Sequence, residues 1–235
     1  MSRLSKIIAA AGPKGNVEAV RQIGEQARDI RADAIFLVGS LTPKHAEPRE
    51  YGRVLTALGE TKLPAFYIPG PDDAPFGEFL REAANIEVVF PHVHGVHGTF
   101  AMAPGHDVVT GLGGTIVDDI STARDELDTL RYPGWEVEYR LKFLKELKDY
   151  QTVFLFTTFP EHKGLHEKGS AVLAEIIKTH KPRLVLIGGN EHKREMIGTS
   201  LLIGLASLAE NAFTVVDLRA GEAKPGVLRH TASAA

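Results

Sequence analysis

One pattern constrains this sequence more than any other. Short apolar runs end at Gly or Pro, and stretches with an apolar stripe at helical spacing follow them. Lys6–Ala11 stops at Gly12-Pro13, Ala34–Val38 at Gly39, and Ala65–Ile68 at Pro69-Gly70-Pro71. Runs this short, bounded by turn residues, read as buried strands. Between them, Val17, Val20, Ile23 and Ala27 share one helical face behind Asn16, a natural cap. Tyr51, Val54, Leu55 and Leu58 form a second stripe, and Phe76, Phe79 and Leu80 follow Pro75 in a third. Strand and helix alternating through short connections give a parallel sheet covered by helices.

The middle changes character. His97–Ala103 and Asp107–Leu112 flank Pro104-Gly105 as a hairpin. Residues 117–130 are polar and acidic and read as a mobile loop. Trp135 to Leu147 reads as one amphipathic helix, with Trp135, Tyr139 and Phe143 in the core. Thr152–Phe156 is a strand, Ser170–Thr179 a helix and Arg183–Ile187 a strand. Ile197–Ile203, Ala212–Leu218 and Gly226–Arg229 read as antiparallel strands. The 235 residues, at ~150 per domain, leave one or two domains open. No linker marks a boundary, so one domain over 1–235 is expected, with 221–235 a frayed tail.

Ligands of such sheets sit outside the carboxyl ends of the strands. Five loops stand there: Gly12-Pro13-Lys14-Gly15-Asn16, Gly39-Ser40-Leu41-Thr42, Gly70-Pro71-Asp72-Asp73, Thr157-Thr158-Phe159-Pro160 and Gly188-Gly189-Asn190-Glu191-His192. In order and spacing, from Lys6 to Leu218, they resemble the loops of the calcineurin-like metallophosphoesterases. That family's pattern is Asp-x-His-Gly-Asn, then Gly-Asp, Gly-Asn-His-Asp, a His before a Pro, and Gly-His-x-His. Gly15-Asn16, Gly70, Asp73 and Gly188 match it. The resemblance implies a four-layer α-β-β-α sandwich with two mixed sheets. It also implies a metal-dependent phosphoester hydrolase by descent, with two divalent ions (Mn, Fe, Zn or Ca).

The departures fall on the ligands. Aligned with the family, the first metal Asp stands at Gly12 and the following His at Lys14. The bridging Asp stands at Ser40, and the Asn and His of the third loop at Pro71 and Asp72. The fourth-loop His stands at Thr157, and the last two His at Gly189 and Glu191. Gly and Pro offer no side-chain ligand atom and Lys is a cation. Hard dications want several carboxylate or imidazole ligands, and only Asp72 and Glu191 are weak candidates. No metal cofactor is therefore expected. An ion pair between Lys14 and Asp72 is expected in place of the metals.

The cleft candidates are thus Lys14, Asn16, Ser40, Asp72, Asp73, Thr157, Asn190, Glu191 and His192. Asp73 reads either as an acid–base partner of Asp72 or as the cap of the following helix. His92 and His94 lie on one face of a strand without a third ligand. Asp118, Asp119 and Glu126 fit no calcium-loop signature. His162 and His166 would need a regular helix through Lys163-Gly164 to share a zinc ion.

A net charge of 27 − 30 = −3 disfavours nucleic acid. With no cysteine, disulfides, thiolate metal sites and a Cys nucleophile are excluded. Ile7–Ala11 is too short for a signal peptide or membrane span, so a cytoplasmic location is expected. The first functional expectation is a catalytically degenerate relative that binds a small anion or a protein through the old cleft. The others are a hydrolase with an altered, single-metal site, and a scaffold whose cleft is idle. A homo-oligomer is open.

Overall fold

Strand β1 (Lys6–Ala11) shows how the layers arise. Its side chains alternate between two faces, and both faces are buried. Ile7, Ala9 and Ala11 enter a core between two sheets, whereas Ile8 and Ala10 meet helices. A strand buried on both sides must be apolar throughout, so the run carries no alternation in its sequence. The computed structural model describes residues 3–123, 126–166, 168–189 and 191–228.

The first sheet has the order β14-β13-β1-β2-β3-β4. β1, β2 (Ala34–Val38), β3 (Ala65–Ile68) and β4 (Val93–Gly95) run parallel. β13 (Ala212–Asp217) and β14 (Glu222–Val227) continue it antiparallel. The second sheet has the order β11-β12-β10-β9-β6-β5. Its centre is β6 (Val108–Leu112), β9 (Thr152–Phe156), β10 (Leu184–Gly188) and β12 (Ser200–Leu205), all parallel. β5 (Phe100–Met102) and β11 (Lys193–Ile197) are its antiparallel edges. β7 (Thr115–Val117) and β8 (Arg131–Pro133) form a separate parallel pair. Helices α1 (Val17–Asp29), α2 (Pro48–Glu60) and α3 (Phe76–Val89) turn buried faces to the first sheet. α4 (Gly134–Arg140) and α5 (Ala171–His180) lie with the second. The expected four-layer sandwich with two mixed sheets is the observed fold.

Four sequence readings change. The amphipathic segment after Trp135 is not one helix. α4 ends at Arg140, and Lys142–Lys145 continues as a 3₁₀ turn. Trp135 and Tyr139 are 60% and 62% exposed rather than core. Segment 117–130 is not simply a loop: it begins in β7, and Asp118 accepts from Ser170 Oγ (2.7 Å) and Ala171 N (2.9 Å) at the start of α5. The supposed tail contains β14, which pairs with β13, and Leu228 is buried; residues 229–235 lie outside the described residues. Ile197–Ile203, read as one antiparallel strand, is divided by a turn: β11 and β12 do pair antiparallel with each other, and β12 also runs parallel to β10.

Asp118 also makes a testable point about α5. Its carboxylate serves the same helix start as the Ser170 hydroxyl, which itself accepts from Leu173 N at 3.2 Å. Asp118→Ala should cost about 1 kcal/mol, the usual worth of a helix cap, read as a shift in the urea midpoint. No shift would mean that Ser170 suffices alone.

Candidate functional site

β1, β2 and β3 end side by side, with Ala11 opposite Val38 and Val38 opposite Ile68. The loop after β1 is stitched to the end of β2. Gly12 N donates to Val38 O (2.8 Å), Lys14 N to Ser40 O (3.3 Å) and Gly15 N to Leu41 O (2.8 Å). The path requires left-handed backbone at Gly12 (φ +51°), Lys14 (φ +45°) and Gly15 (φ +80°), which Gly adopts freely and Lys does not. Asn16 Oδ1 then accepts from Ala19 N at 3.0 Å and caps α1, as expected.

Lys14 is exposed, yet its stem lies across the cleft: its Cε is 3.9 Å from where a Cβ on Gly12 would stand. The expected pair with Asp72 does not form, and among the described residues Lys14 has no ion-pair partner. Asp72 turns instead to Ser40. The Ser40 hydroxyl donates to Asp72 Oδ2 over a long 3.4 Å and accepts from Asp72 N at 3.2 Å.

Asp73 neither caps α3 nor joins Asp72 as an acid–base pair. It is fully buried and clamps two loops together. Oδ2 accepts from Leu41 N (2.7 Å) and Gly70 N (2.8 Å), and Oδ1 from Thr42 N (3.0 Å) and Thr42 Oγ1 (3.1 Å). Burial pushes its pKa up to about 6 against those four donors, which pull it down. The cap position of α3 belongs to Pro75.

Across the cleft, the hydroxyls are spent on the backbone. Thr157 Oγ1 donates to Gly114 O at 2.6 Å; Thr158 Oγ1 donates to the same oxygen and accepts from Ile116 N. The Phe159 ring lies on Gly189, where a Cβ would stand 2.9 Å from it. Glu191 points outward, 75% exposed, with Lys193 Nζ at 3.6 Å. His192 Nδ1 lies 3.3 Å from Thr214 Oγ1, and burial lowers its pKa. Asn190 lies outside the described residues. Beside these threonines opens a cleft of about 420 Å³ between β7 and the 157–170 segment, lined also by Asp119, His166 and Lys168.

The residues present do not fit a two-metal centre. Gly12 has no ligand atom, Gly189 lies under a phenyl ring, and Asp73 already accepts four hydrogen bonds. Among the described residues no three His, Asp or Glu side chains converge on one point. The other candidates separate likewise. His92 Nε2 lies 2.9 Å from Gly59 O while His94 stacks on Phe66. His162 and His166 face each other across a tight turn, not along a helix. Asp119 accepts from Ser121 in its own turn.

Sequence reasoning missed two parts. Ser207, 195 residues from Gly12 in the chain, donates to Gly12 O at 3.2 Å and backs the first loop. His97 is half-buried: Gly113 N donates to its Nδ1 (3.0 Å), and its Nε2 lies 3.3 Å from Tyr132 Oη. Tyr132 Oη donates to Glu126, which also holds Arg140. Since Nδ1 accepts, the proton sits on Nε2 and donates to Tyr132. Burial, reinforced by Arg140, lowers the His97 pKa to about 3.

The family model for metallophosphoesterases of the calcineurin superfamily matches residues 49–228. The chain belongs to this superfamily. The crystal structure of TT1561 of Thermus thermophilus is similar over 97% of this chain and 100% of that one, with TM-score 0.93 and 46% identity. A novel archaeal phosphodiesterase shares the fold at TM-score 0.56 and 11% identity, over 95% of this chain and 99% of that one. The purple acid phosphatase PPD1 of yellow lupin does so at TM-score 0.54 and 9% identity, over 95% and 53%. Comparison with curated protein sequences gave no match. Among the described residues of this metallophosphoesterase-fold chain, no helix is long and apolar enough to cross a membrane.

Proposed function

We propose that this metallophosphoesterase-fold protein is catalytically degenerate and that its strand-end cleft holds a small anion, free or on a partner protein, through Lys14. The observation that carries the reading is the Lys14 stem laid over Gly12 with no carboxylate partner among the described residues. A cation at that spot repels a dication and attracts an anion. The loop N–H groups of Lys14 and Gly15 are already used by Ser40 O and Leu41 O, so the side chain is the available donor. A cytoplasmic protein without nucleic-acid or membrane partners fits this reading.

The altered-site hydrolase finds less support. Asp72 and Asp73 are engaged by Ser40 and by backbone donors, and Glu191 lies out by Lys193. Ser40 has only the Asp72 carboxylate beside it, across a long 3.4 Å, and Thr157 Oγ1 is spent on the Gly114 carbonyl, so neither hydroxyl has a closely held base to activate it. Hydrolysis of bis(p-nitrophenyl) phosphate should stay at background with or without Mn²⁺. Robust turnover lost in Asp72→Ala would establish the altered-site enzyme instead. Inorganic phosphate, titrated by calorimetry, should bind at least about tenfold more weakly to Lys14→Met. Equal affinity in that variant rejects the cleft site, and no binding at all favours the idle scaffold.

A further inference from the structure

The groove between α4 and α5 is separate from that cleft. Gly134, at the start of α4, lies against Val172, where a Cβ would stand 2.7 Å from Cγ2. Beside that contact, residues of both helices line a cavity of about 590 Å³, a size usual for small-molecule sites. Its floor is Leu141 and Ile176, both buried. One wall is Trp135 and Tyr139, a helical turn apart and both mostly exposed. Lys142 and Lys145 also line it: Lys142 Nζ lies 4.3 Å over the Tyr139 ring, and Lys145 is near enough to His180 to help burial lower that histidine's pKa. The opposing charge of Glu175 is taken up by Lys178 at 2.6 Å, which leaves Glu138 as the other acid of the lining.

We propose that this groove is a second binding site, for a flat aromatic ring that carries one negative group. The ring lies against the Tyr139 and Trp135 faces over the Leu141–Ile176 floor. Such aromatic contacts contribute beyond the apolar area they bury. The negative group meets Lys142 and Lys145. A neutral ring leaves the two ammonium groups unused, and a bare anion leaves the apolar floor wet. Two large rings in water above a buried apolar floor are the kind of surface a ligand covers.

Trp135 is the only tryptophan in the chain, so its indole reports on the groove directly. The full-length protein is titrated with naphthalene-2-sulfonate, followed by calorimetry and by the Trp135 indole N–H resonance. The expected result is saturable 1:1 binding with a moving indole signal. Affinity should fall at least about tenfold in Tyr139→Ala and in the Lys142→Ala/Lys145→Ala double variant. These are surface changes, so melting should hardly move. Lys14→Met should bind as wild type does, which keeps this site distinct from the strand-end cleft. Three results would overturn the proposal: no saturable binding, unchanged affinity in Tyr139→Ala, or 2-naphthol bound as tightly as the sulfonate. A dimer that buries Trp135 as concentration rises, without any ligand, would assign the groove to a second copy and overturn it too.

Discussion

Asp73→Ala should destabilise the protein by about 3–5 kcal/mol at pH 7. The carboxylate is fully buried and accepts from Leu41 N, Thr42 N, Thr42 Oγ1 and Gly70 N. Alanine strands all four donors, each worth about 1–3 kcal/mol when left unpaired; water entering the gap recovers part of that sum. Asp73→Asn is the sharper test. One of its two positions keeps an oxygen, while the other presents N–H groups to N–H groups, so it should still cost about 2–4 kcal/mol. Urea denaturation followed by circular dichroism reads both. A loss below about 1 kcal/mol in Asp73→Ala would contradict the clamp.

Two groups with large shifts, half-buried His97 and buried Asp73, should pull the pH dependence of stability in opposite directions. The His97 pKa is lowered from 6.5 to about 3. Between those values the unfolded chain takes up a proton that the folded chain refuses. Its contribution is therefore complete above pH 6.5 and falls away toward pH 3, by about 4–5 kcal/mol in all at 1.4 kcal/mol per unit. The Asp73 pKa is raised from 3.8 to about 6. There the folded chain holds a proton that the unfolded chain releases. Its contribution is complete below pH 3.8 and is lost as pH rises through 6, about 3 kcal/mol in all. Between pH 4 and 6 the two nearly cancel in the wild type.

Single variants separate them. His97→Asn keeps an acceptor for Gly113 N–H but no titrating ring, so its stability should rise on acidification from pH 7 to 4. Asp73→Asn leaves His97 unopposed and should show a steep acid loss over the same range. Denaturant midpoints at half-unit pH steps measure both. Parallel pH profiles in wild type and His97→Asn would show that His97 is not held neutral by burial.

The strand plan was legible because its signals are local. Lys6–Ala11, Ala34–Val38, Ala65–Ile68 and Thr152–Phe156 appear with the bounds expected for them; in the first three, a short apolar run that ends at Gly or Pro leaves little choice. α4 was misread for a different reason. Periodicity identifies an apolar face but not whether anything covers it, nor where the helix tightens at Leu141. β14 was hidden because an edge strand tolerates polar residues; Glu222, Lys224 and Pro225 look like tail.

The cleft shows the same division. The parallel strands that lead into Lys14 and Asp72 are β1 and β3, and β2 stands between them, so the two loops are one strand further apart than immediate neighbours. Which way a side chain turns from a loop is not in the spacing. Asp72 found a hydroxyl 32 residues away, and Lys14 lay back over Gly12. Asp73 looked like a cap because Leu41 and Thr42, its true donors, are 32 and 31 residues distant. Partners that remote in sequence leave no local trace.

Under the proposed reading the strand-end cleft holds no two-metal centre. The most direct test is metal content by mass spectrometry, after dialysis of chelator-free protein against excess Mn²⁺ and then against metal-free buffer. The Gly12, Lys14, Ser40 and Gly189 positions call for well under one ion per chain. Two ions per chain, lost on substituting Asp72 or Asp73, would contradict it.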